Sequence, residues 1–107
     1  ETDDIKEGIS DVDIIYMTRI QEERFSSKNE SDKYKGLMSL NQEIYTKNCE
    51  PNTIIMHPLP RRNELDPRID NDPRAKYWRQ ERNGMWTRVA LLTKLLGVDT
   101  KILLPEL

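Results

Sequence analysis

The stretch IIMHPLPRR, residues 54–62, carries an apolar run directly into two prolines and two arginines. The β-branched residues at its start predict a short buried strand over residues 53–56. Pro58 and Pro60 have no backbone donor, and each forces the residue before it into an extended conformation. The carbonyl groups of this turn therefore cannot all be used in helix or sheet hydrogen bonds. We expect a strand that ends in a rigid turn with free acceptors.

A second apolar run, DVDIIYM at residues 11–17, predicts another strand. Its second half is apolar throughout, which is typical of a parallel strand covered on both faces. Between the two strands, SLNQEIYTKNCEPN at residues 39–52 predicts a helix, with Ser39 as N-cap and Gln42 completing a capping box. A strand–helix–strand unit is by default a right-handed parallel crossover. The predicted fold class is α/β.

The segments around these elements are polar. Residues 3–8 predict the tail of a short helix, and residues 21–25 predict a single helical turn. Residues 26–35 are rich in serine and charge, which favours a long mobile loop. Residues 63–84 are also polar.

The C-terminal part of the sequence predicts a helix with a large apolar face. Asp72 followed by Pro73 is a typical helix start. The run MWTRVALLTKLLGV at residues 85–98 then has helical periodicity. Its apolar stripe consists of Met85, Val89, Leu92 and Leu96, widened by Leu91 and Leu95. So large a face is expected to need a partner surface that the rest of the chain hardly provides.

Composition excludes several classes of protein. Of 107 residues, 36% are hydrophobic and 34% are charged, and the net charge of −2 argues against a nucleic-acid surface. No apolar run approaches membrane length, and no signal peptide pattern is visible. The single cysteine, Cys49, is expected to be inert and fits a reducing compartment. We therefore expect a cytoplasmic protein that uses no metal or other cofactor.

Residues suited to ligand binding follow both predicted strands. Arg19 and Gln21 follow the first strand, and the proline turn follows the second. The carboxyl ends of parallel strands face one crevice, where an arginine fork suits a carboxylate or phosphate. Simpler interpretations remain: Arg19 as a surface residue, His57 as a structural hydrogen-bonding group, and Arg61 and Arg62 as solvated. No acid–base pair or nucleophile stands out, so the residues alone indicate only binding of a small anion.

Three motifs carry a resemblance to a known family. DIIYMTRIQEERF at residues 13–25, MHPLPRRNE at 56–64 and DPRAKYWRQERNGMWTRVALL at 72–92 stand in the order and at the spacing of the aspartate carbamoyltransferases. The chain resembles the C-terminal third of that family. The resemblance implies that residues 1–82 are part of a doubly wound parallel-sheet domain that binds aspartate. Residues 83–107 would then be a C-terminal helix that packs back on a carbamoyl-phosphate domain, which this chain does not include.

The family resemblance also implies a reaction and a set of site residues. The amino group of L-aspartate attacks carbamoyl phosphate, giving N-carbamoyl-L-aspartate and phosphate on the route to pyrimidines. Arg19 would bind an aspartate carboxylate, with Gln21 beside it. The backbone carbonyls of Leu59 and Pro60, joined by a cis bond, would accept from the carbamoyl group or the attacking amine. Arg24 would bridge the domains on closure.

The same resemblance predicts partners and a moving part. Family members are homotrimers whose sites are shared between subunits, and some are fused to other pyrimidine enzymes or bound to a regulatory chain. Residues 26–36 would close over the substrate. His57 does not match the family's carbonyl-polarising histidine, which lies outside this stretch, so residues 1–107 alone are expected to be inactive.

Two alternatives stay open from the sequence. One is a carbamoyltransferase of the ornithine type, although that enzyme has a cysteine where this chain has Pro58. The other is a non-catalytic binding or regulatory module derived from the fold, although it would be expected to lose Arg19 or the proline turn.

Overall fold

The centre of the fold is a parallel pair of short strands. The computed structural model describes residues 1–21, 24–34 and 36–97. Strands β1 (Ile14–Tyr16) and β2 (Ile54–Met56) pair in parallel, with Ile15 opposite Ile55. Both strands lie where the sequence predicts them, and the parallel crossover is confirmed. The run at residues 11–17 is longer than the strand that it forms.

Residues 74–76 extend the hydrogen bonding along the other edge of β2. The backbone N–H of Ile55 donates to the carbonyl of Arg74 at 3.0 Å, and the N–H of Lys76 donates to the carbonyl of Ile55 at 2.8 Å. β2 is therefore bonded on both sides in the described part of the chain. This central position explains why Ile55 is completely buried.

One face of the strand pair is open. Side chains alternate between the two faces of a sheet, and Ile14 and Tyr16 are 53% and 54% exposed while Ile15 is buried. The neighbouring Ile54 and Met56 are only half-buried. The expectation of cover on both faces is wrong for this chain, because its described residues fill only the face on which Ile15 lies.

The covered face belongs to a small apolar core. Helix α1 (Ile5–Gly8) precedes β1 in the sequence, and helix α3 (Gln42–Asn48) lies between β1 and β2. The short N-terminal helix is where the sequence predicts it. The buried hydrophobic residues are Ile9, Ile15, Met17, Leu40, Tyr45, Ile55, Leu65, Ile69 and Tyr77.

α3 begins later than predicted because a different residue caps it. The side chain of Asn41 accepts from the N–H of Ile44 at 2.8 Å, and asparagine is among the best N-cap residues. Ser39 instead donates from its hydroxyl to the carbonyl of Asn63 at 3.0 Å. The intervening Leu40 is bridged to Leu65 as extended chain, so the helix cannot include it. The prediction of Ser39 as N-cap is wrong.

The predicted mobile loop at residues 26–35 contains a helix, α2 (Lys28–Tyr34). The hydroxyl of Ser27 accepts from the N–H of Glu30 at 3.3 Å, so a serine interpreted as loop composition is the helix start. Phe25 and Tyr34 stack with 5.5 Å between ring centroids, which joins the two ends of this segment. The predicted turn at 21–25 includes residues 22 and 23, which lie outside the described residues, as does residue 35 of the predicted loop.

The last described helix, α4 (Tyr77–Leu95), begins eight residues before the predicted start at 85. Asp72 does not cap it, because its carboxylate accepts from Arg74 at 2.8 Å and its carbonyl accepts from the N–H of Ala75 within a turn. Residues 77–84 are polar but rich in helix-favouring side chains. The proposed division at residue 82 falls within α4 and stays a prediction, and residues 98–107 lie outside the described residues.

Most of the apolar stripe at the end of α4 is uncovered within the described chain, although Val89 is half-buried. Its large exposed side chains include Met85, Trp86, Leu91, Leu92, Leu95 and Leu96. Leu95 is 81% exposed. Among the described residues, the expectation that the rest of the chain hardly provides a partner surface for this helix is confirmed.

Candidate functional site

The two strands end side by side at one edge of the fold. Beyond the last paired residues, the backbone N–H of Met17 still donates to the carbonyl of Met56 at 2.9 Å. The segment that contains Arg19 and the turn that begins at His57 therefore leave the sheet from adjacent positions. In open parallel sheets this edge is where ligands bind.

The turn after β2 contains unusual backbone geometry. The Leu59-Pro60 peptide bond is cis, as the family resemblance implies, and Leu59 has a φ of 49°. That φ lies in the left-handed region, which L-residues other than glycine rarely adopt. Pro58 and Pro60 are exposed and Leu59 is half-buried. The expectation of an extended Leu59 is therefore wrong, and its surroundings must hold this residue in a sparsely populated conformation.

His57 supplies part of that support. Its side chain is almost completely buried, its Nδ1 accepts from the N–H of Leu59 at 2.8 Å, and its Nε2 lies 2.8 Å from Oε1 of Glu64. Its own N–H donates to the side-chain oxygen of Gln80 at 3.0 Å. The interpretation of His57 as a structural hydrogen-bonding group is confirmed.

Glu64 is ionised in this environment. Burial opposes its ionisation, but hydrogen bonds from the backbone N–H of Arg62, from its own N–H and from His57 outweigh burial, so the pKa of Glu64 is lowered. The Arg62 N–H lies 3.1 Å from Oε1 and 3.2 Å from Oε2. A buried carboxylate is tolerated when it is bonded in this way.

Arg61 is anchored rather than solvated, so that interpretation is wrong. Its guanidinium binds both carboxylate oxygens of Asp70, with 2.6 Å between Nη2 and Oδ2. It also lies over the rings of Tyr77 and Trp78, at 5.8 Å and 5.6 Å from their centroids. This arrangement joins the end of the proline turn to the start of α4, because Arg61 belongs to the turn and both aromatic residues to the helix.

Arg61 and Tyr77 both stabilise the ionised carboxylate of Asp70. The Arg61 hydrogen bond holds the pKa of Asp70 below its ordinary value, and the hydroxyl of Tyr77 contributes by donating to the same carboxylate. Burial, then the neighbouring Asp70 carboxylate, raises the pKa of Tyr77. Asp70 is therefore a shared acceptor for an arginine and a buried phenol.

The remaining predicted site residues follow β1 in the sequence. Arg19 is half-buried, Gln21 and Arg24 are exposed, and the N–H of Arg24 donates to the carbonyl of Gln21 at 3.1 Å. Their ligand-binding roles stay predictions. Cys49 is half-buried at the end of α3, and burial raises its thiol pKa, which makes it a weak nucleophile as expected of an inert cysteine.

Two further observations concern only the described residues. No cluster of three or more His, Cys, Asp or Glu side chains suited to a metal ion occurs among residues 1–21, 24–34 and 36–97. Within the same ranges, none of the helices combines the length and apolar character needed to cross a bilayer.

Sequence reasoning missed three residues that hold the turn: Glu64, Asp70 and Gln80. Each lies in a stretch whose composition is typical of a polar surface. Each is hydrogen-bonded to a residue 7 to 23 positions away in the sequence. The sequence signal for Glu64 was its place two positions after HPLPRR.

Comparison with known proteins identifies the family. Residues 1–95 match the family model described as aspartate/ornithine carbamoyltransferase, Asp/Orn binding domain. The aspartate carbamoyltransferase catalytic subunit of Cellvibrio japonicus is 50% identical over 106 residues, covering 94% of this chain and 31% of that protein. The multifunctional protein CAD of Squalus acanthias is 47% identical over 97 residues, covering 91% of this chain and 4% of that protein.

Solved structures agree with this similarity. A crystal structure of aspartate transcarbamoylase from Trypanosoma cruzi in complex with carbamoyl aspartate and phosphate has a TM-score of 0.73 and 36% identity. The match covers 85% of this chain and 29% of that chain, so the protein spans about a third of its relatives' length. The parallel α/β arrangement with its C-terminal helix is the fold of that domain. Because the family model matches nearly all of the described residues, the chain belongs to the aspartate/ornithine carbamoyltransferases and carries their amino-acid-binding domain.

Proposed function

We propose that this chain is the aspartate-binding part of an aspartate carbamoyltransferase. The reaction would transfer the carbamoyl group from carbamoyl phosphate to the amino group of L-aspartate, giving N-carbamoyl-L-aspartate and phosphate in pyrimidine biosynthesis. The observation that carries the proposal is the shared edge of β1 and β2 in a chain 50% identical to a named catalytic subunit of this enzyme. At that edge a cis-proline turn lies beside a segment that contains an arginine and a glutamine.

Arg19 and Gln21 would recognise the amino acid. Arg19 follows the last residue of β1 by three positions, as Leu59 follows the last residue of β2. A guanidinium can donate two parallel hydrogen bonds to one carboxylate of aspartate. The amide of Gln21 can both donate and accept, so it suits a neighbouring polar group of the same ligand. Aspartate fits an arginine here better than ornithine does, because the ornithine side chain ends in a cation.

The carbonyl oxygens of Leu59 and Pro60 would act on the carbamoyl side of the reaction. Carbonyl oxygens fixed in the turn can accept from the carbamoyl NH2 group or from the attacking amine. Acceptors that already point at the attacking amine favour the tetrahedral intermediate, because they stabilise the positive charge that develops on the amine nitrogen. The reaction would then depend on positioning and polarisation, with the protein forming no covalent bond to the substrate.

Domain closure would involve Arg24 and the segment around α2. Arg24 is exposed one turn after Gln21, so it is available to a neighbouring domain. α2 lies in the segment that the family resemblance assigns to closure over the substrate. Closure of such a segment commonly excludes water and completes a site.

The exposed apolar surfaces would be covered in the longer enzyme. The leucine face of α4 and the open face of β1 are unusual for a protein surface unless another part of the protein covers them. We place the carbamoyl-phosphate domain on α4 and assign a cytoplasmic homotrimer with sites shared between subunits. The match to CAD makes fusion to other enzymes of the pathway a second arrangement to test, besides a separate regulatory chain.

Steady-state assays of the full-length enzyme with aspartate and with ornithine test this function. Arg19→Ala is expected to lower kcat/KM for aspartate by about 100-fold, because two charge-assisted hydrogen bonds are lost. Carbamoyl phosphate binding should stay nearly unchanged. Arg79→Ala, which removes an exposed arginine of α4, is the matched control and should leave kcat/KM within twofold.

Two outcomes would contradict the proposal. A preference of the wild-type enzyme for ornithine would assign the other branch of the family. Equal kcat/KM values in the wild type and Arg19→Ala would remove Arg19 from the site.

A further inference from the structure

A pair of buried ionisable side chains closes the proline turn. His57 is 1% exposed and Glu64 is 6% exposed, and they lie at the two ends of the segment that contains Leu59 and Pro60. The distance between Nε2 of His57 and Oε1 of Glu64 is 2.8 Å. Burying a carboxylate costs free energy unless its oxygens are bonded, and both oxygens of Glu64 are bonded within this turn.

The hydrogen bonds of His57 fix the position of its proton. Nδ1 accepts from the backbone N–H of Leu59 at 2.8 Å, so the proton of the neutral ring is on Nε2. Nε2 then donates to Glu64. Both ring nitrogens are used, and the imidazole lies as a rigid link between the Leu59 amide and the Glu64 carboxylate.

Glu64 completes the link on the other side of the turn. Its two oxygens also accept from the backbone N–H of Arg62. The amides of Leu59 and Arg62 are thus both bonded to the His57/Glu64 pair. The carbonyl groups of Leu59 and Pro60 belong to the two peptide planes between those that contain the bonded amides, so the pair restrains these two planes from both sides.

The pair is itself attached to regular structure. The backbone N–H of His57 donates to the side-chain oxygen of Gln80 in α4 at 3.0 Å. The amide nitrogen of Gln80 donates to the hydroxyl of Tyr16 in β1 at 3.0 Å. Residues that hold a site are most effective when rigid elements hold them in turn.

We propose that His57 and Glu64 are positioning residues that set the direction of the Leu59 and Pro60 carbonyls. This inference rests on the proposed function, in which those carbonyls accept from the carbamoyl group or the attacking amine. Neither side chain touches the substrate. A small misdirection of acceptors lowers the rate of the reaction more than it weakens substrate binding, because alignment matters most in the transition state.

Glu64→Gln in the full-length enzyme is the central variant. Glutamine keeps the volume and the oxygen that accepts from both His57 and Arg62, but it removes the negative charge and replaces Oε2, the second acceptor for the Arg62 N–H, with an NH2 group. We expect kcat to fall about tenfold, with less than a threefold change in KM for aspartate, because Arg19 is untouched. His57→Asn is the second variant: its side-chain oxygen can replace Nδ1 towards Leu59, but it cannot reach Glu64. A similar loss in kcat is expected.

Thr53→Val is the matched control for a purely structural effect. Thr53 is 1% exposed directly before β2, and its hydroxyl donates to the carbonyl of Val12 at 2.6 Å. The variant removes a partly buried hydrogen bond next to the end of β2 that lies away from the turn. It should lower the urea midpoint and leave kcat within twofold of the wild type.

The outcomes separate this inference from the proposed function. No carbamoyl-aspartate formation by the wild-type enzyme would overturn both. An active wild type with unchanged kcat in folded Glu64→Gln and His57→Asn would overturn only the positioning role. Equal losses of kcat in Thr53→Val and Glu64→Gln, or unfolding of both turn variants, would assign the pair to stability alone.

Discussion

Tyr77→Phe tests whether the Tyr77 hydroxyl stabilises the fold. This hydroxyl belongs to the cluster that Tyr77 forms with Arg61 and Asp70 at the start of α4. Tyr77 is completely buried and its hydroxyl donates to Oδ1 of Asp70. Asp70 also binds the guanidinium of Arg61, which lies at the end of the proline turn. Phenylalanine removes the hydroxyl and nothing else, so no cavity of consequence is created.

The size of the effect follows from the burial of the two groups. A hydrogen bond to a charged group contributes about 1.5–3 kcal/mol to stability. The side chain of Asp70 is 25% exposed, so water can replace the lost donor, and Arg61 still pairs with it. We therefore expect a loss at the lower end, about 1.5–2 kcal/mol in the free energy of unfolding.

Urea unfolding followed by tryptophan fluorescence measures this loss. The ring of Trp78 lies 5.3 Å from that of Tyr77, so its emission should report on the cluster. The midpoint should fall while the slope of free energy against urea stays constant. Tyr34→Phe, at a tyrosine that is 46% exposed, is the control and should cost less than about 0.5 kcal/mol.

A double-mutant cycle with Asp70→Ala decides the cause. If the hydroxyl acts through Asp70, Tyr77→Phe should cost about 1 kcal/mol less in the Asp70→Ala background. An equal cost in both backgrounds, or a loss below about 0.5 kcal/mol in the wild type, would refute the reasoning.

Two other predictions concern caps and charge. Asn41→Ala should lower the free energy of unfolding by about 1 kcal/mol because α3 loses its N-cap. Urea unfolding should show a smaller loss for the Ser39→Ala control, because the half-buried Ser39 makes only a solvent-exposed hydrogen bond. Asp66 has a pKa of about 2, below its ordinary 3.8, because of hydrogen bonds from the side chain and N–H of Arg68. Its contribution to stability should be complete above about pH 4 and lost as the pH falls towards 2, so Asp66→Asn should flatten the decline of the urea midpoint below pH 5. An unchanged pH profile in Asp66→Asn, or equal losses in Asn41→Ala and Ser39→Ala, would contradict these assignments.

Local sequence signals predicted the elements better than their ends. β-branched runs identified both strands, and the crossover rule gave their parallel direction. The starts of helices were less predictable because several residues compete to cap them. Asn41 replaced Ser39 at α3, and Ser27 began a helix within a stretch whose composition indicated a loop.

The sequence by itself determined the parallel strand pair, the proline turn at its edge and the uncovered face of the last helix. These features depend on near neighbours in the chain, so periodicity and proline chemistry specify them. Only the tertiary structure decided that Arg61 binds Asp70, that Glu64 supports His57 and that one face of β1 is open. Those properties depend on which distant side chains meet and on which of them supply cover, because desolvation and pairing are set by spatial neighbours rather than by neighbours in sequence.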